Sequence, residues 1–119
     1  MTQEEVNYCV VRNYKIAEHV LDSLYHSVMS IDFSDPSEPD TAAKKALIQS
    51  QKSWLKYRDD VSELVRTFSD GGSMANAEAW KYRTKLILDR IRELEFFRKY
   101  YYGKTWIKID WKIDTVMHR

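Results

Sequence analysis

The sequence predicts a mainly α fold, an antiparallel three-helix bundle with a short C-terminal extension. Three observations point to it. Three long segments carry apolar residues at helical spacing, and both prolines and two of the three glycines fall between those segments. The last stretch of chain then changes period from helical to alternating. At 119 residues there is room for one domain with a modest core, burying about two thirds of the surface its unfolded chain exposes.

In the first segment Val6, Val10, Ala17, Leu21, Leu24 and Val28 recur at steps that fit a 3.6-residue period, and Tyr14 fills the gap in the stripe. The spacing predicts a helix from about Thr2 to Ser30. The second segment sets Ala43, Leu47, Ser50, Trp54, Tyr57, Val61, Leu64 and Phe68 at alternating steps of four and three, with Asp40 or Thr41 as N-cap. Gly71-Gly72 should stop it, and Ser73 can cap a third helix whose stripe runs Trp80, Thr84, Ile87, Ile91 and Leu94. A link that short implies antiparallel packing of the second and third helices. The helical unit is expected to fill residues 1–98, with residues 99–119 an aromatic and basic extension packed on it or on a partner.

In that extension Ile107, Ile109, Trp111 and Ile113 alternate with Lys108, Asp110, Lys112 and Asp114, which is strand periodicity. A lone strand needs a partner, either a hairpin with the Tyr100–Tyr102 region around Gly103 or a strand of another chain. A helical reading through Trp106, Ile109, Ile113 and Val116 stays open.

Composition limits the function classes. A charged fraction of 31% with a net charge of only +1 gives no global field for steering. No apolar run approaches the roughly 20 residues of a membrane span. No leader precedes Thr2, so either one has been removed or the protein is cytosolic. The single cysteine, Cys9, cannot form an internal disulfide, and it reads as a free thiol buried like a small hydrophobe. His19, His26 and His118 are too few and too scattered for a metal site, so no metal and no cofactor are expected.

No catalytic constellation stands out. Asp59-Asp60 and Glu4-Glu5 supply carboxylates, but helical acidic pairs more often face solvent or pair with bases than span a cleft. Arg58-Asp59 beside Trp54 and Tyr57 reads as a polar lock between helices, with Arg58 or Arg90 stacked on an aromatic ring. Gly71-Gly72-Ser73 lacks the lysine and flanking strand of a phosphate-binding loop, and with Asp70 it is instead a candidate for a narrow, exposed, partner-entering turn. The segment 31–40 carries four acids and no base. Asp32, Asp35 and Glu38 in it form a local negative patch suited to meeting a basic protein. The aromatic and basic last third, with Trp106 and Trp111, reads as a protein-contact surface, because Asp110 and Asp114 would repel phosphates and no nucleic-acid motif accompanies it.

The run Gln51-Lys52-Ser53-Trp54-Leu55-Lys56-Tyr57-Arg58-Asp59, then Gly71-Gly72-Ser73, then Leu86-x-x-x-Arg90-x-x-x-Leu94, resembles the LprI-type lysozyme-inhibitor domain of bacterial envelope proteins. Thr2-Gln3-x-x-x-Asn7-x-Cys9 and Ala17-Glu18-x-x-Leu21-Asp22-x-x-Tyr25 are similar to its opening. The resemblance covers roughly residues 2 to 95. It implies a non-enzymatic protein that binds a lysozyme-like or other cell-wall hydrolase, in the periplasm or envelope. Two positions depart from the family, which usually has cysteines where this chain has Ser62 and Tyr82. The disulfide implied by the resemblance is therefore absent here, and the usual partner of Cys9 would lie upstream of Thr2. Loss of cysteines suits the cytoplasm instead. A second reading is a cytosolic or periplasmic immunity protein that neutralises a bacterial toxin. A third reading is a homodimeric assembly domain joined through the C-terminal segment.

Overall fold

The structure, a computed structural model, describes residues 1–30, 40–69, 72 and 74–103, with Asp40, Thr41 and residues 100–103 described in backbone alone. Among the described residues there are three helices: α1 (Gln3–Met29), α2 (Asp40–Phe68) and α3 (Ala75–Gly103). At 1.5 Å per residue each is about 40 Å long. Such lengths are stable because each helix has one face to bury, not because of propensity alone.

The ends of α1 are set by local chemistry. Thr2 sits in extended backbone and its Oγ accepts from the Glu5 N–H at 3.1 Å, while Glu4 and Glu5 place negative charge on the positive end of the helix. At the other end the Ser30 N–H donates to the His26 carbonyl at 3.1 Å. The link from α2 to α3 is a chain of turns. Ser69 N–H bonds to Val65 O at 3.2 Å, Gly72 N–H to Ser69 O at 3.1 Å, and Ala75 N–H to Gly72 O at 2.9 Å. The helix thus stops at Phe68, before the glycines expected to stop it.

Two pairs of contacts fix the topology. Tyr14 packs edge-on to Trp80, with ring centroids 4.9 Å apart, and Val28 shares a cavity wall with Phe97, so α1 and α3 run parallel. Asp59 meets Arg83 and Gln51 meets Arg90, so α2 runs antiparallel to α3. The protein is an up-down-up three-helix bundle, as its periodicity predicts. α3 is the middle element, lying along both others, whereas α1 and α2 touch little.

The core joins Tyr14, Ala17, Leu21, Leu24 and Val28 of α1 to Leu47 of α2 and to Ile87 and Leu94 of α3, the last two with no exposed surface. The predicted α1 and α3 stripes are the ones buried. Half-buried Val61 apart, the prediction on α2 holds only as far as Trp54. Beyond it Tyr57, Leu64 and Phe68, expected in the core, are exposed, Phe68 at 75%. Arg58, Ser62, Val65 and Ser69, each one position later, take the packed side. Three further expectations fall differently. Cys9 is exposed and not buried. Residues 100–103 are the last turn of α3, so Tyr100–Tyr102 cannot be one arm of a hairpin. The helix also runs past residue 98 to Gly103. The alternating segment after Lys104 lies outside the described residues.

Candidate functional site

Midway along the bundle the three helices meet in a cluster of arginines, carboxylates and aromatic rings. Asp59 is its hub: its Oδ1 accepts from Arg58 Nε at 3.0 Å and from Arg83 Nη2 at 2.9 Å, the second bond crossing from α3 to α2. Arg83 Nε also donates to Ser62 Oγ at 2.9 Å, and the Ser62 hydroxyl donates to the Asp59 carbonyl at 3.1 Å. Arg58 reaches the third helix, with Nη1 3.8 Å from Glu18 Oε2 of α1. Both guanidinium groups lie over rings, Arg58 over Trp54 at 5.7 Å and Arg83 over Trp80 at 5.1 Å and Tyr14 at 5.8 Å. Planar, weakly hydrated arginine suits such places, where lysine would lose both the fork and the stacking. Tyr14 donates its hydroxyl to Glu18 at 2.9 Å. Burial, then that bond, raises the phenol above its ordinary value, against the opposing pull of Arg58 and Arg83.

A second lock joins α2 and α3 nearer the other end. Arg90 is 4% exposed, and each of its three guanidinium nitrogens has a partner. Nε bonds to Gln51 Oε1 and Nη2 to Ser50 Oγ, each at 3.0 Å, and Nη1 bonds to the Glu93 carboxylate. Among the described residues no buried side-chain nitrogen or oxygen lacks a partner.

Of the candidate residues, Trp54, Arg58, Asp59 and Arg90 therefore come together with structural partners, while Tyr57 points outward. Gly72 is exposed in the turn. Asp32, Asp35, Glu38, Asp70, Gly71, Ser73, Trp106 and Trp111 lie outside the described residues. Sequence reasoning missed Arg83, which no spacing rule singles out, because its role depends on α2 presenting Asp59 and Ser62 one turn apart. It also missed the exposed apolar flank formed by Tyr57, Leu64 and Phe68, joined at the turn by exposed Met74. Its period was legible, but its direction was not.

The carboxylates at mid-bundle are paired with arginine, Glu18 and Asp59 with Arg58 and Asp59 also with Arg83. Among the described residues no three metal-ligating side chains converge. No described helix is long and apolar enough to cross a membrane.

The Lysozyme inhibitor LprI family model matches residues 1–94, nearly the whole bundle. The chain belongs to the LprI lysozyme-inhibitor family. The segments of the LprI resemblance fall on all three helices: the Trp54–Asp59 run and Arg90 supply the two interhelical locks. Ser62, at one of the two departures from the LprI pattern, is buried against Arg83, and Tyr82, at the other, lies beneath Lys85 at 5.4 Å. An uncharacterized protein of Rhizobium meliloti (strain 1021) is 29% identical over 80 residues, covering 62% of this chain and 58% of that relative. The chain thus spans less than two thirds of that relative's length. No solved structure matches.

Proposed function

We propose that this protein inhibits a lysozyme-like or other cell-wall hydrolase by occluding its substrate cleft, acting through binding and without a reaction of its own. Membership of a lysozyme-inhibitor family carries the reading. The turn end of the bundle supports a contact there. Leu64, Phe68 and Met74 expose apolar surface beside the connection between two long helices. Large exposed apolar side chains grouped at one end are what a protein interface buries, with aromatic residues as anchors. Asp70, Gly71, Gly72 and Ser73 would enter the cleft, and Asp32, Asp35 and Glu38 would steer the encounter with a basic enzyme. Trp106 and Trp111 are further candidate contacts. The envelope, where such enzymes work, is the compartment this reading requires.

The test is inhibition of a panel of purified lysozymes and bacterial cell-wall hydrolases by the full chain. One enzyme should be inhibited stoichiometrically. Phe68→Ser should weaken that inhibition at least tenfold with the helical circular-dichroism signal unchanged, and joint replacement of Asp32, Asp35 and Glu38 by asparagine or glutamine should slow association, most at low salt. Lack of inhibition across the panel would remove the reading.

A further inference from the structure

The face of α1 opposite α3 carries a second apolar surface, separated from α3 by the width of α1. Tyr8 is 70%, Ile16 53% and Val20 47% exposed, and together with half-buried Val11 they border a shallow groove along the helix. Single exposed apolar residues need no explanation, but four within four turns of one helix form a patch. The charges around them are ordered: Glu4 and Glu5 stand at the start of the helix, and Arg12, Lys15 and His19 follow. Among the described residues none of these five side chains is engaged in an ion pair, unlike Glu18 on the same helix.

We propose that this face binds a second copy of the chain, α1 against α1 in antiparallel orientation about a two-fold axis near Val11 and Arg12. A two-fold interface must be complementary to itself. A helix face acidic at one end and basic at the other meets that condition only when reversed. Glu4 of one copy then stands across from His19 of the other, Glu5 lies within a turn of both Lys15 and His19, and Tyr8 lies across from Lys15 and Ile16. A parallel pair would set acid on acid and base on base. Reversal also opposes the two helix dipoles. The two Arg12 side chains approach near the axis, each within reach of the other copy's Tyr8 ring, where cation–π attraction offsets their repulsion. One helix pair makes a small interface, so the dimer is weak and salt-sensitive. The proposal draws on the α1 face alone and does not rest on the inhibitor reading.

Sedimentation of the full chain over a concentration series tests this. A reversible dimer is expected, weakened by added salt. Ile16→Asp should leave a monomer with unchanged helix content. Two charge-reversed variants, Glu4→Lys with Glu5→Lys and Lys15→Glu with His19→Glu, should each be monomeric alone and dimerise when mixed, because antiparallel pairing restores both sets of opposite charges. A chain monomeric throughout the series, or a dimer indifferent to Ile16→Asp and to the charge reversals, would overturn the proposal. A monomer whose Cys9-attached fluorophore is quenched, with relief by Trp106→Phe or Trp111→Phe, would overturn it too and assign the face to the chain's own C-terminal segment.

Discussion

Between α1 and α3 the seam is apolar: Leu21, Leu24 and Val28 share one buried cluster with Ile87 and Leu94, and buried Tyr14 extends it to Trp80 and Arg83. Between α2 and α3 the long-range bonds come from two arginines, Arg83 and Arg90, onto Asp59, Ser62, Gln51 and Ser50. Among the described residues of α2 only Leu47 is buried in that cluster, with half-buried Trp54 packed against it. The difference separates two ways of holding a helix. Apolar burial supplies most of the stability and tolerates sliding among similar packings, whereas directional bonds fix rotation and register. With α2 held by its polar side, its apolar side need not turn inward, and Tyr57, Leu64 and Phe68 remain available to a partner.

The largest effect should come from breaking the apolar seam. Leu94→Ala removes a side chain with no exposed surface, and the cavity left behind should cost about 2–5 kcal/mol by urea denaturation. Next comes the polar seam: Arg90→Ala leaves the Gln51 and Ser50 acceptors in a half-buried site and should cost about 2 kcal/mol, with a loosened α2 seen as faster amide exchange in that helix. If Arg90→Ala proved as costly as Leu94→Ala, the distinction between the seams would need redrawing.

Tyr14 lies where the two seams meet, so its substitution sharpens the comparison. Tyr14→Phe should cost about 1 kcal/mol at neutral pH through the lost bond to Glu18. Because the folded protein raises the Tyr14 pKa above its ordinary 10.0, the protonated phenol is favoured by folding. Its contribution is complete below pH 10 and is lost as pH rises through the higher folded value. The stability gap between wild type and Tyr14→Phe should therefore shrink in alkali. A gap that widened would contradict the assigned direction. The smallest effect on stability belongs to the exposed flank, where Leu64→Ser or Phe68→Ser should change unfolding free energy by no more than about 0.5 kcal/mol while impairing inhibition.

Sequence determined the helices and their order. Apolar residues repeating at 3.6-residue spacing, Thr2 as a cap and a short glycine-bearing link are local facts, and local facts suffice for α1, for α3 and for the bundle they imply. The motifs at Trp54–Asp59 and Leu86–Leu94 also sufficed for the family. Tertiary structure alone decided which side of α2 is inside. Beyond Trp54 an apolar stripe and a polar stripe lie one residue apart, both with helical period, and periodicity cannot choose between adjacent faces. The choice was made by Arg83 on α3, which finds in Asp59 and Ser62 the acceptors a half-buried guanidinium requires, and by α1, which covers little of α2. Cys9 follows the same logic: its burial depended on which neighbour faced that side of α1, and the neighbour, α3, lies on the other.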